Sequence, residues 1–185
     1  HELKENPGEK YIIQEEIENI DLWENRKYVI RSYILIWNKK AYFHKKAMAF
    51  VHGQDYESNT DFDIQVSHAG YWSQTGKVKV KPLAKINELE NKPRNFHQKI
   101  LGLLFDVSSK ICNKFKNMIE ASEENTYIIL GTDFLVTKVN NQYNLKIVEV
   151  NRYPNISHTK EVNTEVNERR IRDMIVLFYG IKHPL

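Results

Sequence analysis

A chain of 185 residues, 41% hydrophobic and 28% charged, is long enough for one domain with a sizeable core, or for one lobe of a larger one. No run of about eighteen apolar residues occurs and the opening His-Glu-Leu-Lys-Glu-Asn-Pro-Gly lacks a signal-peptide core, which excludes a membrane-spanning helix and argues against a membrane partner. Net charge is only +3, yet His1 to Glu24 holds eight acidic and two basic residues while Lys77 to Lys116 holds ten basic and three acidic, making the second stretch a candidate surface for an acidic partner. The single Cys112 cannot form an internal disulfide, fits a reducing compartment, and falls on a helical pattern where a buried, inert thiol is expected.

In chain order, Lys10 to Ile17 has the short apolar run of a buried strand and ends abruptly in polar residues. Backbone groups just past such an end are unpaired, so a nucleotide base could bond there while Ile17 covers its face. Arg26 to Trp37 is a second strand, dense in aromatic and β-branched residues, in which Lys27, Val29 and Arg31 share a face. That parity sets two cations about 7 Å apart, as phosphate contacts or as the guarding charges of an edge strand. Ala41 to His52 is expected as a third strand paired with the second through Asn38-Lys39-Lys40, and Gly53 to Gly76 as a long polar loop. His52 and His68 have no partner at metal-ligand spacing and read as incidental.

Lys77 to Pro93 is basic and broken by Pro82 and Pro93. From Arg94 onward Phe96, Ile100, Leu103, Leu104, Val107, Ile111, Phe115, Met118 and Ile119 recur at three- and four-residue intervals, predicting one long amphipathic helix packed on a sheet. Glu161 to Tyr179 predicts a last helix with Val166, Ile171, Met174, Ile175 and Phe178 on its apolar side and Gly180 as its stop. The order strands, long helix, hairpin, helix implies an α+β or α/β lobe with a largely antiparallel sheet rather than a regular βαβ alternation.

Between the helices, Tyr127 to Thr137 and Leu145 to Asn151 flank a polar Asn140-Asn141-Gln142 turn and read as a hairpin. Alternation along its second strand points Glu149 and Asn151 the same way, and in-register pairing brings Asp133 to the same end of the ladder. Two carboxylates and an amide oxygen suit Mg²⁺, a hard cation that completes its shell with water and substrate phosphates. A solvated surface hairpin with scattered polar residues is the alternative at this point.

Tyr-Ile-Ile-Gln-Glu-Glu-Ile, Arg-Lys-Tyr-Val-Ile-Arg-Ser-Tyr-Ile-Leu-Ile, the long helix, Gly-Thr-Asp-Phe-Leu-Val and Ile-Val-Glu-Val-Asn-Arg-Tyr-Pro-Asn together resemble, in order and spacing, the C-terminal half of the tubulin-tyrosine ligase-like family. The resemblance implies an ATP-grasp fold in which ATP and Mg²⁺ activate a carboxylate as an acyl phosphate that an amine then attacks. It implies that Gln14, Glu15, Glu16 and Ile17 form the hinge holding adenine, that Lys27 and Arg31 are phosphate-side cations with Arg31 catalytic, and that Asp133, Glu149 and Asn151 are the metal ligands. The implied partner is tubulin or a microtubule, through its acidic tails, in the cytoplasm, the cytoskeleton, a cilium or an axoneme. Nucleic acid and membranes are not implied.

The resemblance breaks at three places: the family's Asp between its Lys and Arg is Val29, a further family arginine falls near Phe50, and the His-x-Thr-Asn element is not recognisable near Gln65-Val66-Ser67-His68. With seven glycines and no Gly-rich loop, residues 1–185 are expected to be a partial domain, beginning with His rather than Met, and the N-terminal half of an ATP-grasp fold is expected outside them. Three functions compete: an amino-acid ligase on tubulin tails, a catalytically degenerate relative serving as a microtubule or axonemal binding module, and a metal-dependent nuclease. The nuclease pattern needs a lysine where Asn151 stands, and a basic strip alone is poor evidence for nucleic acid.

Overall fold

A computed structural model describes residues 15–53, 55–56, 78–89, 91–156 and 158–180. The core of the fold is β2, Arg26–Trp37, nearly all of it buried on both faces, as expected of a central strand rich in Val, Ile, Tyr and Leu. The strands β1 (Leu22–Trp23), β3 (Lys40–Phe43), β4 (Met48–Val51), β5 (Lys79–Pro82), β6 (Tyr127–Val139) and β7 (Gln142–Asn151) complete a sheet whose main order is β5-β4-β2-β6-β7. Every pairing among them is antiparallel. Three hairpins close through two-residue turns with both residues at positive φ, at Glu24-Asn25, Asn38-Lys39 and Asn140-Asn141. Turns of this mirror-image kind match the right-handed strand twist, and asparagine is among the residues that tolerate them best.

Alternation along the strands separates two faces. Tyr28 and Ile30 of β2, Ala49 and Val51 of β4, and Phe134 and Val136 of β6 turn to one side, where Phe96, Ile100 and Leu104 of helix α1 (Phe96–Lys114) cover them with no exposed surface. Tyr33, Met48, Phe50 and Val80 turn to the other, against Val162 and Val166 of the C-terminal helical segment. That segment comprises α3 (Lys160–Val162), a π-helical turn (Asn163–Asn167) and α4 (Glu168–Tyr179), and it ends where Gly180 adopts φ 61°. Gly180 is therefore the expected left-handed stop.

Several expectations need correction. The strand expected over Ala41 to His52 is two strands, because the chain bulges away from β2 at 44–47, where the His44 Nδ1 lies 2.9 Å from the Lys46 carbonyl. Of the strand expected over Lys10 to Ile17, residues 10–14 lie outside the described residues and 15–17 are not in a strand; pairing with β6 begins at Ile20, opposite Thr137. The loop expected over Gly53 to Gly76 falls almost wholly outside the described residues, His68 and the stretch from Gln65 with it. The basic stretch holds an unforeseen strand, β5, and a 3₁₀ turn, Leu83–Glu88. The long helix breaks at Phe115 before a short α2 (Lys116–Glu120), and Phe115 and Met118 are exposed rather than on its buried stripe. In the last helix Ile171 and Ile175 are exposed while Val162, Val166 and Arg170 are buried, because Ile171 and Ile175 stand roughly 140° and 180° around the helix from Val166, whereas Arg170 is one turn beyond it.

Candidate functional site

The face of the sheet opposite α1 carries a row of charge across three adjacent strands. Arg31 on β2 is the register partner of Asp133 on β6, which is in turn the register partner of Glu149 on β7. Asn151 stands two residues further along β7, opposite Gly131. The three residues expected as metal ligands therefore lie on one face, in neighbouring positions.

A bulge makes this possible. Phe134 pairs with Ile147, but its neighbour Asp133 pairs with Glu149, so Val148 is the extra residue. Directly paired residues share a face, which places Ile147 on the α1 side and Glu149 on the opposite side. Simple alternation from Leu145 would have put Glu149 on the α1 side, so the bulge re-aims the end of the strand. Gly131 matters for a neighbouring reason: a Cβ there would lie 2.6 Å from the Cβ of Pro154, so only glycine lets the 152–155 turn fold down over the row.

Arg31 and Asp133 form a buried fork, with Nε donating to Oδ1 at 2.8 Å and Nη2 to Oδ2 at 2.7 Å. Burial alone would lower the arginine pKa, but the hydrogen bonds and charge of Asp133, with smaller contributions from Tyr33 and Glu149, outweigh it and raise it above its ordinary value. A bidentate pair of this geometry holds both groups in place. Glu149, by contrast, is exposed and makes no hydrogen bond or ion pair among the described residues. Hard oxygen donors of this kind fit Mg²⁺, with Glu149 and the Asn151 amide oxygen available and Asp133 contributing the lone pairs that Arg31 leaves. The set depends on the amide, since no three His, Cys, Asp or Glu side chains gather in this way among the described residues.

Lys27 lies on the same face, two positions before Val29, and is buried; burial lowers its pKa while the charge of Glu16 acts in the opposite sense. Glu16 and Lys27, expected on the nucleotide side, are thus within electrostatic reach of each other. Glu15 is exposed, Ile17 half-buried, and Gln14 lies outside the described residues. Val29 and Phe50, the two positions where a family acid and a family arginine were expected, are direct cross-strand partners, 3% and 2% exposed. The Arg31 guanidinium lies 5.0 Å over the Phe50 ring. Here an apolar pair occupies the floor beside Arg31.

Two site residues gave no signal at first reading. His158 follows the hairpin and meets the Phe50 ring edge-on at 5.8 Å, held by Asn163, which accepts from its backbone N–H at 2.9 Å. Burial, then the charges of Arg31 and Arg170, push its pKa down to about 4. Arg170 of α4 is 3% exposed and lies 3.9 Å over the Tyr33 ring. A cation four residues after Val166 and eight after Val162 is the sequence signal for it, legible only once those valines are known to be the buried stripe.

The basic stretch does not present one face. Lys92 is buried in an ion pair with Asp21 at 2.6 Å, Tyr28 donating to the same carboxylate oxygen at 2.8 Å, and Lys85 bridges Glu88 and Glu161. Cys112 is half-buried in α1, with its pKa raised by burial. No described helix is long and apolar enough to cross a membrane.

Compared with known proteins, the sequence matches the family model described as "Tubulin-tyrosine ligase family" over residues 1–183. No curated protein matches it.

Proposed function

The chain belongs to the tubulin-tyrosine ligase family, and on that premise we propose that it forms amide bonds on tubulin, joining glutamate, glycine or tyrosine to a tail in an ATP- and Mg²⁺-dependent reaction. Its mixed α/β architecture around a large antiparallel sheet is consistent with the ATP-grasp-like fold of that family. The observation that carries the reading is the row Arg31, Asp133, Glu149, with Asn151 beside it, on one sheet face. ATP would supply the phosphoryl group that activates a carboxylate, and Mg²⁺ would neutralise its oxygens. The protein's part is electrostatic: Glu149 and Asn151 offer the cation its ligands, while Asp133 fixes Arg31 so that its positive charge needs no reorganisation as negative charge shifts between oxygens. Lys27, with Glu16 near it, would face the nucleotide, whose base residues 14–17 would hold. Microtubules, and among them those of a cilium or axoneme, are where such a ligase would act.

A second reading has its own observation. The buried Val29–Phe50 pair replaces an acid and a cation, and supports a degenerate lobe that binds tails without turning over. Incorporation of a labelled amino acid into tubulin, run beside calorimetry with ATP and Mg²⁺, separates the two. Incorporation that Glu149→Gln removes supports the ligase. Tail binding with no incorporation overturns it in favour of the binding module.

A further inference from the structure

Asn151 is the last residue of β7, and β7 is an edge of the described sheet, so β6 alone pairs with it. A strand end held from one side frays, whereas a metal ligand has to stay within about half an ångström of its place. The register supplies a second hold. Tyr33, Gly131 and Asn151 are cross-strand partners and form a further row on the same face, two residues along from Arg31, Asp133 and Glu149. The middle position of that row has no side chain, and Pro154 fills it: a Cβ on Gly131 would lie 2.6 Å from the Pro154 Cβ and 3.6 Å from the Arg31 Cδ. Beside it the Tyr33 hydroxyl donates to the Asn155 carbonyl at 3.5 Å, a long bond that orients more than it binds. Arg152 and Tyr153, the residues between Asn151 and Pro154, are exposed, so the turn is seated by Pro154 and by the backbone of Asn155.

Tyr33 is itself fixed from behind. Its ring is 1% exposed, and the Arg170 guanidinium of α4 lies 3.9 Å over it. Burial raises the phenol pKa, while the charge and hydrogen bonding of Arg170, and then the charge of Arg31, act in the opposite sense. The same ring thus meets the C-terminal helix on one side and the 152–155 turn at its hydroxyl. We infer that Gly131, Tyr33 and Arg170 are positioning residues for Asn151: they seat the 152–155 turn on the sheet and so carry the packing of α4 to the amide end of the candidate metal set. The inference rests on the ligase reading only in naming the ion that Asn151 serves; the seating belongs to the turn.

The test is nuclear magnetic resonance of the Asn151 side-chain amide in the purified protein, its signals assigned by their loss in Asn151→Asp, with Mn²⁺ titrated as the probe. Bound Mn²⁺ broadens nearby signals, so the titration reads affinity at this site, and the signals before any metal is added read the seating alone. Gly131→Ala should move the Asn151 signals and weaken Mn²⁺ binding about tenfold, the usual scale for loss of a group that orients a ligand. Adding Pro154→Gly, which takes the clashing Cβ away from the other side of the contact, should recover much of that loss. Tyr33→Phe and Arg170→Met should each weaken binding severalfold, and they carry the test should the alanine variant not fold. Val136→Ala, a cavity on the α1 face, controls for lost stability: its melting temperature should fall while the Asn151 signals and the Mn²⁺ affinity hold. Asn151 signals and affinity unmoved in Gly131→Ala and Tyr33→Phe, or moved as far in Val136→Ala, overturn the inference. A parent protein that binds no Mn²⁺ near Asn151, but whose Asn151 signals shift in Gly131→Ala and return in the double variant, counts against the metal of the ligase reading and leaves the seating intact.

Discussion

The two faces of one sheet are built from the same strands and obey opposite rules. Under α1, the side chains of Ile30, Phe134, Val136 and Ile100 meet in an apolar core where volume decides, with a single polar cluster, Lys92 and Tyr28 on Asp21, beside it. One residue along each strand, Arg31, Asp133, Phe50 and Tyr33 face the C-terminal segment, where identity matters more than volume. On that face one buried guanidinium, Arg31, is held by the Asp133 carboxylate, and another, Arg170, lies against the Tyr33 ring. Packing specifies most of the first face; buried charge held by specific partners marks the second.

The contrast breaks most clearly if substitutions on the two faces behave alike. Phe134→Ala, on the α1 face, should cost about 3–5 kcal/mol in a denaturant melt, the ordinary penalty for emptying a buried aromatic site. Asp133→Asn, its neighbour on the other face, should cost a similar ~3–5 kcal/mol for a different reason, because it strands the Arg31 charge. Replacing Arg31 and Asp133 together by Met and Leu should then recover much of that loss. Recovery in the double variant, measured by the same melts, distinguishes charge from volume; an additive loss would mean that packing dominates both faces.

Glu149→Gln sharpens the comparison further. Its side chain is exposed and supports no described contact, so stability should stay within about 0.5 kcal/mol, while incorporation of labelled amino acid into tubulin should fall on the order of a hundredfold or more. A large drop in melting temperature would return Glu149 to a structural role.

How much of this could be read in advance follows the same division. The strand Arg26–Trp37, the Asn140-Asn141 turn and the Gly180 stop depend on local chemistry, and each is found where the residues point. Asp133, Glu149 and Asn151 share a face as their order suggests, but by way of a bulge at Val148 that alternation does not contain. The break at 44–47, the strand β5 and the exposure of Ile171 and Ile175 depend on what packs against them, which no periodicity records. Arg170 was hidden most thoroughly, since an arginine beside Arg169 reads as solvent-facing until Val162 and Val166, two turns and one turn before it, are known to be buried.

Restoring an acid tests whether the apolar floor is a loss or a choice. In Val29→Asp with Phe50→Arg, the new carboxylate lies beside Lys27 and Arg31 and opposite the new cation. If the floor is an eroded nucleotide site, ATP affinity measured by calorimetry should rise about tenfold, a gain of ~1–2 kcal/mol. Unchanged affinity with lost stability would mean that Val29 and Phe50 belong to the packing of this face.

The smallest expected effect is on pH dependence, and it too separates the faces. His158 meets Phe50, stands near Arg31 and Arg170, and lies 3.4 Å from the Asn167 side-chain nitrogen, so a proton on its ring is opposed by two cations and by desolvation. Its pKa of about 4 lies below the ordinary value near 6.5. Between those two values the unfolded chain binds a proton that the folded one does not, so this group's contribution to stability is present above about pH 6.5 and is lost as pH falls towards 4. Partial exposure and screening hold the effect to the order of 1 kcal/mol. His44 and His97 are also lowered, chiefly by burial, and tilt the whole curve the same way, so the informative quantity is a difference. Melting temperatures at pH 7 and pH 4.5 should diverge less in His158→Gln than in the parent protein, and Arg170→Met should shrink the gap in the same direction by removing one of the opposing cations. Equal gaps in all three proteins would mean that His158 protonates freely, and that the charges above the Phe50 ring are screened as they would be on any open surface.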